Sequence, residues 1–128
     1  MEEDLMGTSG KMAMQVARGA ALTAGGILVE RFHEVKQISF KGRGNIVTDV
    51  DTEVEAEILG ILGREFPGMG LVGEETASAR ADSGYVWIVD PLDGTRNYAS
   101  GIPFFSVVVG LALDGEVLVG VNYDPMRD

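Results

Sequence analysis

Apolar positions recur at helical spacing over residues 11–32, where Met12, Val16, Ala20, Leu22, Ile27 and Leu28 form an irregular stripe in an alanine-rich stretch. Gly25-Gly26 weakens that helix locally. A second helical pattern covers residues 51–66, with Val54, Ile58, Ile61, Leu62 and Phe66 on one side. Asp51 or Thr52 is its expected N-cap, Glu53, Glu55 and Glu57 suit a positive helix start, and Pro67-Gly68 ends it. Short strands are expected at 37–41, 46–48, 70–73 and 85–89, and a short helix at 94–100. Residues 106–113 and 116–123 read as two strands, because Asp114-Gly115 between them is a strong two-residue hairpin signal. The loops are K-G-R-G-N at 41–45, expected to be mobile, and the polar stretch 76–84.

This order predicts an α+β fold, with two helices packed on a largely antiparallel sheet. A chain of 128 residues with 45% hydrophobic content makes a single globular domain, here residues 11–128 behind a loose tail at 1–10. The formal net charge of −10, without a Lys/Arg stripe, argues against nucleic acid as a partner. The longest uncharged run, residues 97–113, is shorter than the roughly 20 residues that span a bilayer, and the acidic start is a poor secretory leader. A cytoplasmic protein without membrane contact is expected. The absence of cysteine removes thiolate chemistry, and the single histidine, His33, reads as a surface residue.

Three motif-like stretches fail on context. Gly68, Gly70 and Gly73 spell G-x-G-x-x-G, but after a helix and into a strand, the reverse of a dinucleotide site. Asp49, Asp51 and Glu53 begin like a calcium loop, yet its glycine and final glutamate positions hold Val54 and Gly60. K-G-R-G-N lacks the ending of a P-loop.

What remains is a set of acids at element ends: Asp51, Glu74 with Glu75 beside it, Asp90 and Asp93. Taken singly, each is an ordinary cap or turn residue. Together they follow apolar segments that carry them toward one sheet edge. Two carboxylates 4 Å apart repel by ~4 kcal/mol at an effective dielectric near 20. Convergence therefore calls for protons or cations, and an all-oxygen set favours Mg²⁺, Mn²⁺ or Ca²⁺. In W-I-V-D-P-L-D-G-T-R-N-Y, residues 87–98, Pro91 is expected to stop the strand ladder and turn the chain, so that Asp90 and Asp93 face a common point with the Leu92 carbonyl. Gly94 lets a ligand approach the backbone, and a helix starting near Thr95 offers free N–H groups to an anion. Cation ligands beside an anion cradle describe a metal-assisted phosphatase.

G-E-E-T at 73–76, the long 87–98 motif, V-T-D-V-D-T-E-V-E at 47–55 and G-I-P-F-F-S-V-V-V-G-L at 101–111 resemble the inositol monophosphatase family of Mg²⁺-dependent, lithium-sensitive phosphatases. The resemblance runs from about residue 11 to the end. It implies the N-terminal half of a layered αβαβα sandwich. Glu74, Asp90 and the Leu92 carbonyl would hold a first metal, and Asp90 with Asp93 a second. Two or three Mg²⁺ are implied, with Mn²⁺ as substitute. Gly94 and Thr95 would hold phosphate. Asp51 would bond Thr95, and Thr95 with Glu74 would orient the attacking water. Lys41 would lie near the site. The implied partner is a small phosphorylated polyol or sugar, lead substrate inositol monophosphate, and the implied assembly a dimer. Fructose bisphosphate, histidinol phosphate and a 3′-phosphonucleotide are alternative substrates. Two departures stand out. Arg96 replaces a common threonine, and the W-D-x-A-like motif of the family's C-terminal half is absent. The domain is accordingly expected to be truncated, with a non-catalytic homologue that binds metal or a partner as the alternative.

Overall fold

The computed structural model describes residues 2–42, 45–74 and 84–127. Its elements are α1 (Ala13–Arg31), β1 (Ile38–Gly42), β2 (Asn45–Thr48), α2 (Asp49–Glu65), β3 (Gly70–Gly73), β4 (Tyr85–Asp93), α3 (Thr95–Ala99), β5 (Ser106–Leu113) and β6 (Glu116–Tyr123). β1 and β2 form an antiparallel ribbon. The main sheet runs β3-β4-β5-β6, parallel between β3 and β4 and antiparallel elsewhere. α1 and α2 pack against each other, α1 over β5 and β6, α2 over β3 and β4. This is the expected arrangement of two helices on a largely antiparallel sheet. Arg43, Gly44 and residues 75–83, including most of the two expected loops, lie outside the described residues.

The core fills the space between helices and sheet. Val54, Ile58 and Leu62 of α2 are fully buried, as are Trp87 of β4 and Val107, Val109 and Leu111 of β5. The inward face of α1 differs from the expected stripe. Ala17, Ala20, Ala21, Ala24, Gly25 and Leu28 face inward, whereas Leu22 is exposed. The cause is close approach: a Cβ on Gly25 would lie 2.4 Å from the Tyr123 ring. Only small side chains let α1 sit that near β6, so the glycine pair does not interrupt the helix.

α2 begins two residues before its expected start. Thr48, not Asp51, is the N-cap: its hydroxyl accepts from the Asp51 N–H at 3.3 Å, and the Asp51 carboxylate accepts from the Thr48 N–H at 2.8 Å. This reciprocal box satisfies donors that a helix start leaves open. Arg31 at the end of α1 pairs with Asp49 at 2.8 Å and with Glu53, tying the two helices where α2 starts.

The expected loose tail is anchored in part. Thr8 N–H donates to the Glu65 carbonyl and Ser9 N–H to Glu65 Oε1, both at 3.0 Å, so this segment satisfies acceptors at the end of α2. The Asp114-Gly115 hairpin forms as expected, with φ of 50° and 87°. Pro91 does not end β4. The ladder to β5 pauses after Asp90↔Val108 and resumes at Asp93↔Ser106. Pro91 and Leu92 bulge out between these pairs, and a bulge is where a strand accommodates a residue lacking an N–H.

Candidate active site

The parallel pairing of β3 with β4 sets Gly73 opposite Val89. The next residues, Glu74 just past β3 and Asp90 within β4, therefore lie side by side. Their carboxyl groups meet: the half-buried Asp90 is pushed from 3.8 up to about 7 by burial, by a hydrogen bond and repulsion from Glu74, and by the charge of Asp93. The Leu92 N–H, donating to Asp90 Oδ1 at 3.2 Å, opposes this only in part. Such a pair is eased by a retained proton or by a cation.

The bulge at Pro91-Leu92 re-aims the chain. After it, Gly94 takes a left-handed conformation (φ 98°) and caps α3. A Cβ there would sit 3.0 Å from the Phe104 carbonyl oxygen, so both conformation and space require glycine. Thr95 follows. Its Oγ1 lies 2.9 Å from Asp51 Oδ2 and 3.1 Å from the Leu92 carbonyl oxygen. A hydroxyl has one proton, and the carboxylate is the stronger acceptor. Asp51 is 1% exposed, and its other oxygen is occupied by Thr48, so it holds Thr95 from a fixed position.

The seven residues singled out from the sequence thus form two adjoining groups. Glu74 and Asp90 touch with Asp93 close by, and Asp51 grips Thr95 beside Gly94 and Leu92. Among the described residues no three acidic or histidine side chains converge on a single point. The Lys41 side chain and Glu75 lie outside the described residues. Arg96 is exposed on α3, and His33 is exposed with its ring 4.9 Å from that of Phe32.

Two further residues belong to the neighbourhood. Asn97 Nδ2 donates to the Phe104 carbonyl at 2.9 Å, fastening the segment that walls Gly94. Asp93, Gly94, Asn97, Phe105, Ser106 and Asp124 line part of a cavity of about 390 Å³ opening beside the site. The second residue is Glu55, which sequence reasoning assigned to the polar helix start and which is 0% exposed. Its position four residues after Asp51, among Val54 and Ile58, was the available signal.

The donor set fits a hard divalent cation: it is all oxygen, and a cation would replace the proton that Asp90 otherwise keeps. Residues 11–128 match the sequence profile of the Inositol monophosphatase family. The chain belongs to that family. As a member of the inositol monophosphatase family it is 42% identical over 120 residues to the fructose-1,6-bisphosphatase/inositol-1-monophosphatase of Aquifex aeolicus, covering 92% of this chain and 46% of that protein. It is 41% identical over 117 residues to inositol monophosphatase 1 of Solanum lycopersicum, covering 88% of this chain and 43% of the relative. Among solved structures, the extragenic suppressor protein suhB from Bartonella henselae superposes with a TM-score of 0.88 at 39% identity, over 91% of this chain and 46% of that one. The chain therefore spans less than half the length of these inositol monophosphatase-family relatives.

Proposed function

We propose that this chain carries the metal-holding and phosphate-holding part of a phosphatase site acting on phosphate monoesters of polyols or sugars, with inositol monophosphate as lead substrate. The observation that carries the reading is the contact of the Glu74 and Asp90 carboxyl groups, brought level by two parallel strands, with Asp93 close by. Glu74, Asp90, Asp93 and the Leu92 carbonyl would hold Mg²⁺ or Mn²⁺. When bound, such ions neutralise charge on the transferring phosphoryl group and on the attacking and leaving oxygens.

The chain's own residues supply positioning. The bare backbone of Gly94, with the N–H of Thr95 next to it, gives phosphate a close approach. Asp51 orients the Thr95 hydroxyl, and Thr95 with Glu74 aligns a water for in-line attack on phosphorus. A hydroxyl fixed by a buried carboxylate is already turned to accept a hydrogen bond from that water and need not reorganise. Fructose 1,6-bisphosphate is the second substrate reading, favoured by the 42% identity to the Aquifex relative that carries both names.

The test is phosphate release from inositol 1-phosphate and from fructose 1,6-bisphosphate with Mg²⁺ present, with and without lithium. The chain as given is expected to bind cations weakly and turn over little. A form extended to the length of its relatives is expected to turn over at about 1–10³ per second and to be slowed by lithium. An extended form that binds Mg²⁺ but hydrolyses neither ester would refute the reading.

A further inference from the structure

α2 presents two buried carboxylates one turn apart, Asp51 at 1% exposure and Glu55 at 0%. Asp51 is occupied by Thr48 and Thr95. Glu55 reaches instead toward β3. A Cβ built on Gly73 would lie 2.4 Å from the Glu55 carboxyl carbon and 2.6 and 2.8 Å from its two oxygens. No side chain fits between them, so the Glu55 carboxylate rests directly on the Gly73 backbone. Gly73 is the last residue of β3, and Glu74 comes next. The Glu74 side chain is exposed, and its carboxyl group meets Asp90. The path of the backbone that delivers Glu74 decides where that meeting takes place.

We infer that Glu55 is a positioning residue: its buried carboxylate braces the Gly73 backbone and sets the direction in which Glu74 leaves β3, so that Glu74 meets Asp90. The inference rests on the reading that Glu74 and Asp90 hold a cation. One rigid helix then locates both groups of the site. Residues four apart on a helix face the same way and lie about 5–6 Å apart. Asp51 holds Thr95 on the α3 side, and Glu55, one turn on, holds Gly73 on the β3 side. The spacing between Thr95 and Glu74 is thereby referred to a single turn of α2.

A plain structural role, in which Glu55 only helps α2 adhere to the sheet, predicts something different. It predicts lower stability in a Glu55 variant without a specific change at Glu74. The experiment compares Glu55→Ala, Gly73→Ala and the double variant with Leu62→Ala, a loss of buried α2 packing remote from Gly73. Amide and side-chain carboxyl signals of Glu74 are recorded by NMR on the metal-free full chain. Mg²⁺ and Mn²⁺ affinities are measured by calorimetry on the same samples.

Glu55→Ala and Gly73→Ala are each expected to displace the Glu74 signals and to weaken cation binding roughly 10- to 100-fold. The double variant is expected to move the Glu74 signals back toward the parent, because the new methyl enters the space the carboxylate vacated. Leu62→Ala is expected to lower the melting temperature with Glu74 unmoved. Should Glu55→Ala prove too unstable to record, Glu55→Gln keeps the size and is expected to displace the same signals by less. Glu74 signals that stay at their parent positions in the Glu55 variants, or that move equally in Leu62→Ala, would overturn the inference. If the parent chain binds neither cation, the metal reading fails on its own, and the Glu74 signals still decide whether Glu55 positions that residue.

Discussion

Thr95 Oγ1 lies 2.9 Å from Asp51 Oδ2, a contact that joins residues 44 positions apart and connects the start of α2 to the start of α3. Because Asp51 also closes the N-terminal box of α2 with Thr48, one carboxylate serves helix and site together.

The Asp51–Thr95 pair is expected to act as a unit. In an active, extended form, Thr95→Ala and Asp51→Asn should each slow turnover, and the double variant should lose little more than the worse single one. Steady-state kinetics on the three variants provide the check, and additive losses would contradict a shared role. Thr48→Ala, which removes the cap and the hydroxyl's bond to Asp51, should lower unfolding free energy by about 1 kcal/mol in urea titrations.

Asp90 sets a pH dependence whose sign follows from its raised value. The folded, metal-free chain keeps a proton on Asp90 up to about pH 7, which the unfolded chain releases near its ordinary value of 3.8. The native state therefore binds the extra proton in that window, and this group's contribution to stability falls as pH rises through it. Asp90→Asn should match the parent in melting temperature near the acid end and exceed it above the window. Excess Mg²⁺ should reverse the order at high pH, because only the parent keeps the ligand. Thermal melts at several pH values provide the check: without the ion, a parent that gains on the variant as pH rises is the outcome contrary to this account, as is an order that excess Mg²⁺ leaves unchanged at high pH.

Glycine positions should separate cleanly by environment. Gly94→Ala forces a Cβ to 3.0 Å from the Phe104 carbonyl at φ 98°, so a loss of about 1–3 kcal/mol is expected. Gly26→Ala, on the exposed side of α1 with nothing within 4 Å of the new methyl, should stabilise by roughly 0.4–1 kcal/mol. Denaturant midpoints measure both.

The sheet face turned away from α1 and α2 carries Ile88 at 50% and Val72 at 41% exposure, paired in register. Exposed apolar surface of this kind promotes association. Ile88→Lys should lower the sedimentation-average mass of the isolated chain; an unchanged mass would mean that this face is not what associates.

Much of this was legible in the sequence where local chemistry and tertiary packing agree. Asp114-Gly115 admits little besides a tight hairpin, and the strands on either side begin and end where their alternation says. Val54, Ile58 and Leu62 mark the inner face of α2 because their spacing and their apolarity say the same thing. The departures have a common origin in partners distant along the chain. Leu22 faces solvent and the alanines face inward because Tyr123 sets how near α1 comes to β6. β4 continues past Pro91 because β5 supplies Ser106 as a partner beyond the bulge. Thr48 displaces Asp51 as the cap because it precedes three residues that already follow helical geometry, and Asp51 is then free to reach Thr95. Glu55 reads in the sequence only as an acid suited to a helix start, because composition there says nothing about which turn faces the sheet.

Among the described strand pairs of the main sheet, only β3 and β4 run in the same direction. Two strands that advance together bring successive residues level with one another, like adjacent fingers of one hand. The meeting of Glu74 and Asp90 is therefore written into strand direction and register, not into the length of chain that links one strand to the next. An antiparallel partner would have offered Asp90 the beginning of its neighbour, and every residue added to a connecting turn would have slid the two carboxyl groups apart. Direction and register, rather than the residues that lie between the two strands, hold the acidic pair level, so the rim of the site is open to change without disturbing its centre.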